Sequence, residues 1–287
     1  MTRGRGKHYD LGRAFAERVC GALFAGDWAR RAAQLVPGAT RVELLRHRLR
    51  ILPPGTPPLR VAFASDLHVG PTTPAALLER AFELLAEEKP DVLLLGGDYV
   101  FLEASAPRVA EIAKLVSRVP AQRKIAVLGN HDLWTNHGAI EDALREVGVE
   151  VLINRGTLLD EPWSRVRVVC LDEPWTGSPD PVSAFSARTP DEVVIVLCHA
   201  PDGLTFLSPG QAALFVCGHT HGGHIALPNG PVVLPPGPLS RRYPSGRYAV
   251  DGTELFVSRG IGNTEAPLRL YAPPDVSIFE LEASDVS

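Results

Sequence analysis

Between residues 59 and 132 the chain repeats one pattern: a short apolar run, an abrupt stop on Asp, His or Asn, then a helical spacing. "LRVAFAS" stops at Asp66 and His68, "DVLLLGG" at Asp98, and "KIAVLG" at Asn130, His131 and Asp132. The intervening segment 74–89 has Leu77, Leu78, Ala81, Leu84 and Leu85 on one helical face. Segment 107–118 does the same with Val109, Ile112, Ala113, Leu115 and Val116, and 139–147 reads as a shorter helix. Strand–helix alternation of this kind belongs to a largely parallel, helix-flanked sheet. After residue 148 the apolar runs come faster ("VEVLI", "VRVVCL", "EVVIVLC", "AALFVC", "GPVVLP", "ELFVS", "VSIFEL") with few long helices between them. A second sheet packed on the first, with the helices outside, accounts for both halves.

The later runs end as the early ones do. "VLCHAP" stops at His199 and "VCGHTHGGH" at His219 and His221. Ligands of open α/β sheets collect beyond the carboxyl ends of the strands, so five such ends describe one convergent site. Five of the nine histidines (68, 131, 199, 219 and 221) fall there, beside Asp or Gly. Imidazole, carboxylate and amide donors without thiolate suit Mn²⁺, Fe or Zn²⁺ in a reactive site better than a Cys-rich structural zinc site. Seven donors exceed one tetrahedral ion and suit two ions that share a carboxylate, the clamp used for in-line displacement at phosphorus. Gly96, Gly97, Gly129 and Gly218 lie just before donors, where the chain must turn sharply.

A length of 287 residues allows one large α/β domain or two small ones. The net charge of −4 indicates no nucleic-acid partner. Cys20, Cys170, Cys198 and Cys217 show no CxxC spacing, and three sit in strand-like runs as small hydrophobes. No run approaches the ~18 apolar residues of a spanning helix, and the N-terminus lacks the apolar core and cleavage site of a signal peptide. Residues 1–50 are instead basic, with Leu11, Phe15, Val19, Leu23, Phe24 and Trp28 set among Arg13, Arg18, Arg30 and Arg31. Such an amphipathic basic helix either lies on an anionic membrane surface or packs on its own domain or a partner. "ILPPGTPPL" is a Pro-rich break, dividing an N-terminal extension (1–50) from the main domain (51–287). Residues 228–247 read as a Pro/Gly-rich surface loop, and His137 as a cap for the following helix.

The ordered blocks "DLH", "GGD", "GNHD", "H" and "GHTH" over residues 66–221 resemble the signature of the calcineurin-like metallophosphoesterase superfamily. That resemblance implies its four-layer α/β/β/α sandwich of two mixed sheets. It implies that Asp66, His68, Asp98 and His221 hold one ion and Asp98, Asn130, His199 and His219 a second, with Asp98 bridging. It also implies a hydroxide between the ions that attacks phosphorus in line. His131 would then donate to a phosphoryl oxygen or protonate the leaving group, with Asp132 orienting it or capping a turn.

"GNHDLW", "GHTHGG" and the tail "SRGIGNTEAPLRLYAPPDVSIFEL" resemble a bacterial branch of membrane- or envelope-associated phosphoesterases that includes UDP-diacylglucosamine-type pyrophosphatases. The chain departs from that branch at His224 and Ala226. The implied activity is hydrolysis of a phosphodiester or pyrophosphate, with a lipid-linked or envelope phosphate ester such as a UDP-sugar lipid as the substrate and partner. The implied location is cytoplasmic, peripheral on the inner membrane where the N-terminal helix makes contact. Arg259, Arg269 and His224 are the expected substrate contacts, ahead of Arg241, Arg242 and Arg247. The alternatives are a non-catalytic metal-binding scaffold of the same fold and a phosphomonoesterase or phosphoprotein phosphatase.

Overall fold

A computed structural model describes residues 4–35, 38–227, 230–231 and 237–284. Fourteen strands run through these residues. They are β1 (Glu43–Leu52), β2 (Leu59–Ala64), β3 (Val92–Leu95), β4 (Arg123–Ala126), β5 (Val149–Val151), β6 (Arg155–Leu158), β7 (Val166–Cys170), β8 (Val193–Leu197), β9 (Leu214–Cys217), β10 (Ala226–Leu227), β11 (Gly230–Pro231), β12 (Gly246–Val250), β13 (Thr253–Val257) and β14 (Asp275–Ala283). The first sheet has the order β1-β14-β2-β3-β4-β5 and the second β12-β13-β9-β8-β7-β6, while β10 and β11 form a separate ribbon. Strands β2 to β5 are parallel, as are β7, β8, β9 and β13; β14 runs against β2, β6 against β7 and β12 against β13.

The sheets face each other across a core of Val61, Phe63, Leu94, Ile125, Ile195, Val216 and Phe279. Helices α3 (Ala75–Glu87), α4 (Ala106–Ser117) and α6 (His137–Glu146), with the short α5 (Asn130–Trp134), follow the first sheet's strands. Leu78, Phe82, Ile112, Val116, Ile140 and Leu144 lie in one cluster with the outer face of that sheet. The short helices α7 (Pro181–Phe185) and α8 (Pro238–Arg242) flank the second sheet. This is the expected four-layer sandwich of two mixed sheets. Cys170, Cys198 and Cys217 are buried free thiols in it.

Three sequence expectations need correction. The boundary at residue 50 cuts through β1, which pairs in parallel with β14 along the edge of the first sheet. Its arginines mask the strand: Arg46 reaches Glu88, and Arg48 reaches Glu280 and Glu282, so they are the solvent face of an edge. Within 228–247 the described residues hold helix α8 and strand β12, while 228–229 and 232–236 lie outside the described residues. The side chain that caps α6 is Asn136, which accepts from the Ala139 N–H, and not His137.

Helix α1 (Leu11–Leu23) precedes α2 (Trp28–Ala33) and buries none of its own side chains. Leu11, Phe15, Val19 and Leu23, four residues apart, are 90, 69, 46 and 58% exposed, while Phe24 just beyond is buried. The apolar stripe of α1 therefore faces away from the domain. No helix among the described residues is long and apolar enough to cross a membrane.

Candidate metal centre

All seven expected donors sit just beyond the carboxyl ends of β2, β3, β4, β8 and β9, Asn130 as the first residue of α5, and they converge. His68 Nε2 lies 3.1 Å from His221 Nε2, and His221 Nε2 lies 3.4 Å from Asp66 Oδ1. On the other side His199 Nε2 is 3.1 Å from Asn130 Oδ1 and 3.2 Å from His219 Nδ1. Between the groups stands one oxygen, Asp98 Oδ2, 3.5 Å from His68 Nε2 and 3.3 Å from His199 Nε2. Ligands about 2.1 Å from one ion stand about 3.0–3.4 Å apart in octahedral or tetrahedral array. The spacings fit two divalent ions that share Asp98.

The surroundings aim these atoms. Asp98 Oδ1 accepts the His131 N–H, which leaves Oδ2 for the centre. Asp66 Oδ2 accepts from Ser65 Oγ, and the His219 N–H is shared between Oδ2 at 3.0 Å and Oδ1 at 3.2 Å, which turns Oδ1 toward His221. His199 Nδ1 donates to the Gly96 carbonyl at 2.8 Å, so Nε2 presents its lone pair. Burial alone would raise Asp66 and Asp98, but the neighbouring imidazoles override it and hold both carboxyls well below their usual range. Burial would likewise lower His199, yet Asp98 and Asp66 raise it to about 10, whereas burial takes His68 and His219 down to about 4. The two buried carboxylates therefore keep their charge, which favours a cation between them.

Backbone strain is concentrated here too. Asp66, His68, Asp98, His219, His221 and His224 all have positive φ, between 44° and 73°. Non-glycine residues adopt this region at a cost, and runs of them mark functional sites. Two glycines make room for the carboxylates: a Cβ at Gly129 would stand 2.6 Å from Asp98 Cγ, and one at Gly218 would collide with Asp66 Oδ2.

The remaining expected residues divide. His131 lines the cleft, its ring 4.8 Å from that of His68. Arg13 Nη2 approaches its Nδ1 to 3.1 Å; since a guanidinium only donates, Nδ1 accepts and the neutral ring keeps its proton on Nε2. Burial first, and the Arg13 charge as well, disfavour the imidazolium. Of the two roles expected of Asp132, its partners match the capping one and not the orienting one. Its carboxylate accepts the N–H groups of Asp98, Tyr99 and Gly129, so it caps α5 and clamps the Asp98 loop. Arg259 pairs with Asp275 and Glu43 instead of reaching the cleft. Arg269 is spent on the carbonyls of Gly262, Arg259 and Ala272 and lies 2.9 Å from His221 Nδ1, which fixes that ring. His224 does line the cleft, with Nε2 on the Ala266 carbonyl; burial lowers it to about 2. Arg247 pairs with Glu254, and Arg242 lies over the Tyr243 ring.

The cleft holds about 790 Å³ and has walls that no motif or spacing joins: His8, Arg13, Trp134, Trp175 and Glu265. His8 stacks on Trp175 and Arg13 lies 4.5 Å over the Trp134 ring. The "HDLW" tetrapeptide offered one signal, since Trp134 is three residues beyond His131 on the same short helix.

Comparison with known proteins agrees with this geometry. The model of the calcineurin-like phosphoesterase family matches residues 59–223. Phosphodiesterase YaeI of Escherichia coli K12 is 34% identical over 244 residues, 83% of this chain and 88% of that protein. The metallophosphoesterase YkuE of Bacillus subtilis is 28% identical, covering 94% and 96%. The UDP-2,3-diacylglucosamine pyrophosphatase LpxG of Chlamydia muridarum is 24% identical, covering 77% and 83%. With the donor cluster, the sandwich and a family match over more than half its length, this chain belongs to the calcineurin-like phosphoesterases and is a metal-dependent phosphoric ester hydrolase.

Proposed function

We propose that the protein hydrolyses a phosphodiester or pyrophosphate bond with two divalent ions, Mn²⁺ foremost, shared across Asp98. The position of Asp98 Oδ2 between the two donor groups carries this reading. Such ions, when bound, acidify a water and neutralise phosphoryl oxygens. The chain's own residues supply the rest. His131 donates from Nε2 to a phosphoryl or leaving-group oxygen, and its N–H keeps Asp98 turned toward the centre. Trp134 and Trp175 give the cleft an aromatic wall suited to the organic group of an ester. The test is turnover of an aryl phosphodiester by metal-stripped protein titrated with Mn²⁺, beside His131→Ala. Activity should plateau near two ions per chain and fall at least a hundredfold in the variant. Failure to bind two ions refutes the proposal, and tight binding without turnover favours the scaffold alternative.

The finer reading is a lipid-linked substrate met at a membrane surface, by a cytoplasmic protein peripheral on the inner membrane. Its support is the exposed stripe Leu11, Phe15, Val19 and Leu23 on a helix whose Arg13 and Asp10 neighbours line the cleft. The name of the LpxG relative is in keeping with it. The protein should co-sediment with phosphatidylglycerol vesicles and lose most of that binding on Phe15→Ser with Val19→Ser. No binding by the unaltered protein removes the membrane part and leaves the hydrolase intact.

A further inference from the structure

The cleft of a phosphoesterase must attract an anion, yet among the described residues that line it only Arg13 is an arginine or lysine. Arg13 lies outside the family-matched residues 59–223. It arrives on a strap that is stitched down over the site. Arg5 makes a bidentate pair with Asp172 at 2.6 and 2.7 Å. The Gly6 N–H donates to the Leu133 carbonyl, the Lys7 N–H to that of Thr176, and Trp134 Nε1 to the Lys7 carbonyl. Gly6 permits the approach, since a Cβ there would be 2.8 Å from the Trp134 ring. The strap thus bridges the end of α5 and the loop after β7, and α1 begins directly beyond it.

The guanidinium at its end is held but not consumed. It rests on the Trp134 face and on Glu17, touches His131 Nδ1, and meets Glu265 at 3.3 Å. Glu265 is half exposed, so that pair contributes little and an incoming phosphate can replace it. Only the His131 ring separates the guanidinium from the donor cluster. We propose that Arg13 is a substrate-binding residue, a cation delivered by the N-terminal strap to the phosphoryl oxygens beside His131. A planar fork suits that ligand better than a point charge does.

The proposal rests on the phosphoesterase reading, so its test also measures binding without turnover. Inorganic phosphate is titrated calorimetrically into the Mn²⁺-loaded full chain, and KM for an aryl phosphodiester is measured in parallel. Arg13→Ala should weaken phosphate and raise KM about tenfold or more, with metal content unchanged by mass spectrometry. Arg13→Lys should recover part of the loss. Arg18→Ala, which removes an exposed cation of the same helix that does not line the cleft, should stay within twofold of the unaltered protein. Phosphate affinity and KM within twofold in Arg13→Ala overturn the proposal. So does an equal loss in Arg18→Ala, which makes the effect one of the helix's overall charge, or a loss of metal in Arg13→Ala. If the unaltered chain turns over no ester, the functional reading fails while the phosphate titration still decides the role of Arg13.

Discussion

Adding one methyl group at either of two glycines should separate the two ions. At Gly129 a Cβ would lie 2.1 Å from Asp98 Oδ1 and 2.5 Å from the Asp98 backbone N, where ordinary contact begins at 3.4 Å, so the carboxylate must retreat by about 1.3 Å and its loop with it. Asp98 Oδ2 serves both donor groups, so Gly129→Ala should empty both. At Gly218 the collision is with Asp66 Oδ2, and Ser65 Cβ stands 2.8 Å away. Of the donor side chains, those of His68 and His221 stand beside Asp66 Oδ1, so Gly218→Ala should lose one ion and keep the other. A displacement near 1 Å at reacting groups costs about a hundredfold in rate, and overpacking of this size costs about 1–3 kcal/mol of stability. The assay is metal content by mass spectrometry with thermal melts and phosphodiester turnover, and Gly138→Ala serves as control because its nearest neighbour would be 3.7 Å away. Expected ion counts are none, one and two for Gly129→Ala, Gly218→Ala and the control. Two ions and full turnover in Gly129→Ala would refute the shared carboxylate.

Two further expectations concern the frame. His47 lies against Phe256 and Phe279, and burial lowers it from 6.5 to about 4. The unfolded chain then binds the extra proton between those values, so stability is full above about pH 6.5 and falls as pH drops toward 4. The ceiling of about 3.4 kcal/mol shrinks to about 1–2 for a half-buried ring; His47→Leu should flatten the difference between urea midpoints at pH 7.5 and 5, and an unchanged difference counts against it. Arg269→Lys replaces a fork that serves several carbonyls and His221 with one ammonium. Titration with Mn²⁺ should find one of the two affinities down about tenfold or more, and two unchanged affinities would mean the guanidinium does not position His221.

The donors were legible because a parallel strand ends where its side-chain alternation stops, and Asp, His and Asn at five such ends have nowhere else to point. The strap was not, since Arg5 and Arg13 read only as local positive charge until Asp172 and His131 are brought beside them from far along the chain. β1 hid for a related reason, its arginines neutralised by glutamates just beyond α3 and on β14 rather than within the strand. Arg259 and Arg269 misled in the opposite direction. Their place in a motif-like tail suggested a ligand, but Asp275 and a set of backbone carbonyls claim them. Sequence gives residue type and spacing; which partner satisfies a charge is decided by the fold.

The left-handed backbone at Asp66, Asp98, His219 and His221 has a bearing on how this protein can be engineered and how it would decay. Each such residue costs about 1–2 kcal/mol relative to glycine, so a replacement by glycine relaxes the loop while abolishing a ligand. Selection on thermal tolerance alone would reward those replacements, and libraries screened that way should enrich for sturdy, inactive chains. By the same logic a lineage released from the need for catalysis would shed these four residues early.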